Sequence, residues 1–179
     1  MQVILTPALR LEPLEVAHAE EMFALLADPV LHEFTDSAPP LSLETLRERY
    51  ARLASRCSAD GAEQWLNWIV RLNDGRAIGY VQATVCEPAG ATTRADGPVT
   101  AWVAYLIARA HGGLGHGTAA SAAMIEHLEL AYGARRFLAQ AEAANVPSIR
   151  LLQRLGFRAA TPDEAAAHTL TATERLFVR

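Results

Sequence analysis

Val99-Thr100-Ala101-Trp102-Val103-Ala104-Tyr105-Leu106-Ile107 runs as an apolar strand toward the glycine-rich turn Gly112-Gly113-Leu114-Gly115-His116-Gly117-Thr118, and a helical pattern begins at Thr118. A strand that enters a helix through so many glycines lets the backbone curl until several N–H groups point at one spot. The helix N-terminus adds about half a positive charge there. The turn therefore reads as an anion site, and more narrowly as a phosphate site.

Upstream of it, two strand runs, Trp65 to Leu72 and Ala77 to Cys86, are separated by Asn73-Asp74-Gly75-Arg76. Asn, Asp and Gly tolerate the positive φ of a hairpin turn. With Val99 to Ile107 this makes three strands in succession and predicts antiparallel pairing. The polar, Gly- and Pro-bearing stretch from Glu87 to Pro98 reads as a connector. Nearer the N-terminus, Arg10 to Leu14 is a short strand and Glu15 to Ala27 a helix with Ala19, Phe23 and Leu26 on one stripe, stopped by Asp28-Pro29. Ser42 caps a second helix whose Leu43, Leu46, Tyr50 and Leu53 align.

Downstream, the helix from Thr118 to Tyr132 sets Met124, Leu128 and Ala131 inward and ends at Gly133. Arg136 to Ala141 is a strand, and Asn145 caps a helix with Pro147 in its first turn, where a missing N–H costs nothing. Ile149, Leu152 and Leu155 face inward before Gly156. Phe157 to Ala160 and Thr173 to Val178 are short strands around an alanine-rich loop.

With 179 residues, 51% hydrophobic, 20% charged and free of repeats, the chain is expected to form a single domain over residues 1–179. Apolar runs stop well short of a membrane span and the start lacks a signal-peptide pattern, so a soluble, cytoplasmic protein with no membrane partner is expected. A net charge of −4 supplies no basic footprint for nucleic acid. Cys57 and Cys86 show no paired spacing and read as packing residues, and no metal site is expected.

Spacing separates three phosphate-binding designs. A Walker loop needs a lysine after its last glycine, but Thr118 stands there and the chain contains no lysine. A dinucleotide fingerprint needs Gly-x-Gly-x-x-Gly early in a parallel sheet; Gly113-x-Gly115-x-Gly117 has another step and follows three antiparallel strands. The third design holds the pyrophosphate of coenzyme A. Here Gly115 and Gly117 match the loop of the Gcn5-related N-acetyltransferases (GNAT), which the chain resembles; Gly112 stands where that family prefers Gln or Arg. Asn145-Val146-Pro147-Ser148, leading to Gly156-Phe157, resembles the family's Asn-x-x-Ser and Gly-Phe motifs in the right order. Arg10-Leu11-Glu12-Pro13-Leu14 and Leu25-Leu26-Ala27-Asp28-Pro29 resemble the branch that contains the ribosomal-protein N-terminal acetyltransferases (RimJ/RimL-like).

The resemblance implies an α/β, single-domain GNAT fold: a mixed, mostly antiparallel central sheet of about six to seven strands with helices on both faces. It implies acetyl-CoA as cosubstrate, with Gly112, Gly113, Leu114, Gly115, His116, Gly117 and Thr118 around the pyrophosphate and Asn145 on the pantetheine arm. Ser148 would lie near the thiol or phosphates, and a backbone N–H of Leu106 or Ile107 against the thioester carbonyl. The implied acceptor is a primary amine on a small molecule or a peptide N-terminus, which attacks the thioester in a direct transfer. Relatives often carry an acidic base in the strand before the loop, but Val99 to Ile107 has no carboxylate. Glu63 and Glu87 are the substitute candidates, with ordinary exposed glutamates as the competing reading. The missing carboxylate also keeps open a non-catalytic CoA-binding module. Exposed strand edges make a homodimer a reasonable partner arrangement.

Overall fold

In the computed structural model, which describes residues 1–35, 37–86 and 98–179, eight strands form one sheet in the order β1-β2-β3-β4-β5-β6-β8-β7. They are β1 Ile4–Leu5, β2 Leu9–Pro13, β3 Glu63–Leu72, β4 Ala77–Cys86, β5 Val99–Ile107, β6 Ala134–Glu142, β7 Arg158–Ala159 and β8 Glu174–Val178. Every neighbouring pair is antiparallel except β5 with β6. The mixed, mostly antiparallel sheet is the one expected. The strand beyond the expected number is β1, an edge strand of two residues, too short to show an alternation in sequence.

The helices are α1 Ala19–Leu26, α2 Leu43–Ala54, α3 His116–His127, α4 Val146–Arg154 and α5 Pro162–Ala166. On one face, Ala19, Met22 and Leu26 of α1 and Leu46 and Tyr50 of α2 pack on Ile69 and Leu106. On the other, Ala120, Met124 and Ile125 of α3 and Leu152 of α4 pack on Trp68, Val81, Val103 and Phe137. Burial at about 25 cal/mol per Å² of apolar surface makes these two layers the main source of cohesion.

Most local signals act where they were read. Ser42 accepts from the Thr45 N–H at 3.1 Å, Gly75 takes φ 90° in the β3–β4 hairpin, and Gly133 takes φ 70° past the helix. Four expectations shift. Glu15 to Ala27 is a 3₁₀ turn, Val16–His18, before α1 proper, and Met22 rather than Phe23 is fully buried. The end of the Thr118 helix widens to a π turn, Leu128–Tyr132. That slower rotation brings Tyr132 against the core and leaves Ala131 exposed. The alanine-rich loop holds α5, started by a capping box between Thr161 and Glu164 with Pro162 in the first turn. Cys57 is exposed rather than packed.

Candidate active site

β5 and β6 pair only from Val99↔Ala134 to Trp102↔Leu138. Past that point β5 stays in register with β4 as far as Ile107, while β6 from Leu138 to Glu142 is held by β8. Each strand keeps its outer partner, so the inner edges part and a wedge opens between Val103–Ile107 and Ala139–Glu142. Gly79 permits the close β4–β5 contact at the wedge: a Cβ there would lie 2.0 Å from the Leu106 carbonyl oxygen. That oxygen therefore faces β4, as does the Ala108 N–H, which donates to Ile78 O at 2.8 Å. Backbone groups alternate sides along a strand, so Tyr105 and Ile107 turn theirs toward the wedge.

The wedge opens onto the glycine turn. Gly113 and Gly115 adopt φ 73° and 83°, and Gly115 is the N-cap of α3 with no side-chain cap. The first helical bond runs from Ala119 N–H to Gly115 O at 3.0 Å. The N–H groups of His116, Gly117 and Thr118 precede it and have no carbonyl in the helix to bond. Gly117 has a packing role as well, since a Cβ would stand 2.9 Å from Leu151 Cδ1 and 3.5 Å from Ile107 Cγ1. Leu114 points away, 66% exposed.

Across the wedge, the Asn145 carboxamide oxygen accepts from the Ser148 N–H at 3.1 Å, capping α4. The Ser148 hydroxyl lies 2.7 Å from the Tyr105 Oη, which also donates to the Ser148 carbonyl at 3.1 Å. Burial pushes the Tyr105 phenol up to about 12, against a lowering by the Ser148 hydrogen bond. In the sequence Tyr105 is only one residue of the apolar run Val99 to Ile107. No local signal reveals the pair, because its members lie 43 residues apart.

One cleft of about 860 Å³ joins these parts. Leu106, Ile107, Gly112, Gly113, Gly115, His116, Gly117, Thr118, Asn145 and Ser148 all line it, so the expected cofactor residues other than Leu114 come together. It continues through the sheet to the α1–α2 side, where Val30, Leu31, Glu33 to Thr35, Arg49, Tyr80, Gln82 and Trp102 form its far walls. Glu33, Glu142 and Glu174 line it too. The last two are direct cross-strand partners, and Glu174 accepts from the Thr171 N–H at 2.7 Å. Glu63 does not line the cleft; its carboxylate accepts from the Trp65 indole at 2.9 Å. Glu87 lies outside the described residues. His111 and His116 flank the turn with ring centroids 6.4 Å apart. Among the described residues no group of three or more His, Cys, Asp or Glu could hold a metal ion, and no helix is long and apolar enough to cross a membrane.

A parallel strand pair that parts beside an uncapped helix N-terminus defines a class of protein that takes a long, phosphate-bearing ligand between two strands. Residues 8–158 match the acetyltransferase (GNAT) domain family, and the chain belongs to that family. Many solved structures share the fold, among them the following three. An acetyltransferase from Salmonella typhimurium, described as modifying the N-terminal serine of ribosomal protein L7/L12, has a TM-score of 0.77 and 16% identity, over 99% of this chain and 98% of that one. RimJ from Mycobacterium smegmatis, in complex with a CoA-disulfide, has a TM-score of 0.75 and 19% identity, over 99% and 87%. A GNAT-family acetyltransferase from Bordetella pertussis has a TM-score of 0.68 and 24% identity, over 100% and 99%. A search of curated protein sequences finds no match.

Proposed function

We propose that the chain transfers the acetyl group of acetyl-CoA to a primary amine, on a peptide N-terminus or a small molecule, in a ternary complex. The observation that carries this reading is the continuity of one cleft from the open amides of α3, through the β5–β6 wedge, to the Arg49, Tyr80 and Trp102 walls. The amides from Gly115 to Thr118 suit a pyrophosphate because they are fixed donors at the positive end of a helix dipole. The wedge suits an extended arm, with the free side of the Asn145 carboxamide and the backbone of β5 as hydrogen-bonding partners. Of Leu106 and Ile107, the Ile107 N–H faces the wedge and is the better donor to a thioester carbonyl.

The amine enters from the α1–α2 side. It is a cation at neutral pH, and Glu33, Glu142 and Glu174 supply negative charge along the cleft. A carboxylate in the cleft replaces the absent strand carboxylate as base more economically than Glu63, which stands outside the lining. Ser148 supports the leaving sulfur. The Salmonella relative's described action on an N-terminal serine supports peptide N-termini as the first acceptors to try.

The carboxylate-free β5 favours the second reading, a CoA-binding module without catalysis. Calorimetric titration with acetyl-CoA tests what the two readings share. Thiol release over a panel of peptide N-termini and small amines separates them: turnover with any member supports transfer, and binding with silence across the panel supports the module.

A further inference from the structure

A hydroxyl carries one hydrogen, so the 2.7 Å contact between Tyr105 Oη and Ser148 Oγ uses the hydrogen of only one of them. Tyr105 also reaches the Ser148 carbonyl at 3.1 Å. Two arrangements satisfy these distances. In one, Ser148 donates to Tyr105 and Tyr105 to the carbonyl, a closed ring that leaves no hydrogen for the cleft. In the other, Tyr105 donates to Ser148 Oγ, and the serine hydrogen is free to point into the cleft. Switching between them needs only rotation of two O–H bonds.

We propose that Tyr105 is a positioning residue that turns the Ser148 hydrogen toward the leaving sulfur of acetyl-CoA, an inference that rests on the acetyl-transfer reading. Both residues line the cleft, on opposite walls of the wedge. The ammonium first gives one proton to a cleft carboxylate; as the freed lone pair forms the C–N bond, the C–S bonding pair departs with sulfur, and the second proton lost by nitrogen passes to water. Coenzyme A leaves as the thiolate, and no proton leaves the Tyr105–Ser148 pair. The pair stabilises the charge on sulfur through the chain Tyr105 O–H to Ser148 O–H to sulfur, in which each hydrogen bond polarises the next. The burial that raises the phenol keeps it protonated, and therefore a donor, through the neutral range.

The test compares Tyr105→Phe, Ser148→Ala and the double variant by steady-state kinetics, and titrates the thiol of bound coenzyme A by its thiolate ultraviolet absorbance. Tyr105→Phe should lower kcat about tenfold, keep KM for acetyl-CoA within about twofold, and raise the bound thiol pKa by about one unit. Ser148→Ala should do the same, and the double variant should be no worse than Ser148→Ala alone, because the two act as one unit. Effects that simply add, or a thiol pKa that Tyr105→Phe leaves unmoved, would overturn the proposal. Should Tyr105→Phe fail to fold, an unmoved thiol pKa in Ser148→Ala overturns it equally. A wild-type protein that binds coenzyme A but releases no thiol with any amine refutes the transfer reading instead, so the two failures are distinct.

Discussion

Replacing Gly115 with Asp separates the electrostatic role of the turn from its conformational one. Gly115 sits at φ 83° as the N-cap of α3, and a Cβ there would meet nothing within 4 Å. The folded protein therefore has room for the side chain and loses only the left-handed strain, about 1–2 kcal/mol. Under the proposed function the ligand then meets a new negative charge among the amides assigned to its pyrophosphate. At about 5 Å and an effective dielectric of about 20, each unit of phosphate charge costs roughly 3 kcal/mol, about a hundredfold in affinity. Gly115→Ala carries the strain without the charge, so the difference between the two variants isolates electrostatics. Calorimetry with acetyl-CoA should show Gly115→Ala within about tenfold of wild type and Gly115→Asp at least a hundredfold weaker, with part of that loss recovered at high salt. Equal losses in the two variants, or a loss indifferent to salt, would refute the assignment of these amides to phosphate.

Three further outcomes are expected. Asn145→Ala removes the cap on α4 and should cost about 1 kcal/mol in chemical denaturation; its loss of acetyl-CoA affinity should exceed that, and equal losses would reduce Asn145 to a helix cap. Glu142→Gln with Glu174→Gln removes a like-charge cross-strand pair and should raise stability by about 0.5 kcal/mol, while raising KM for cationic amines in thiol-release assays. Unchanged KM would exclude the pair from acceptor binding. Gly79→Ala drives a Cβ to 2.0 Å from the Leu106 carbonyl; β4 and β5 must separate, at about 3 kcal/mol. A melting curve like that of the wild type would show that the strands have slack.

Gly115 and Asn145 belong to motifs whose physics is local. A glycine turn before a helix, an Asn three residues ahead of the N–H it caps, and Asn-Asp-Gly between two apolar runs act within a few residues, so the chain displays them directly. The capping box of α5, Thr161 to Glu164, is equally local, though composition alone reads that stretch as an alanine-rich loop. The glycine-turn end of the cleft is legible for the same reason.

The other end was not. Glu33 comes from the α1–α2 connection, Arg49 from α2, Tyr80 from β4 and Glu174 from β8, and nothing within reach of any one of them along the chain predicts the others. Glu63, a candidate base from sequence, is held outside the cleft lining by the sheet, against Trp65. By itself the sequence determined most local elements, the family and the glycine turn, because those depend on residue spacing. The tertiary structure decided where β5 leaves β6, which carboxylates face the cleft and that Tyr105 meets Ser148. Those depend on which strand holds each edge, a competition among partners far apart in the chain.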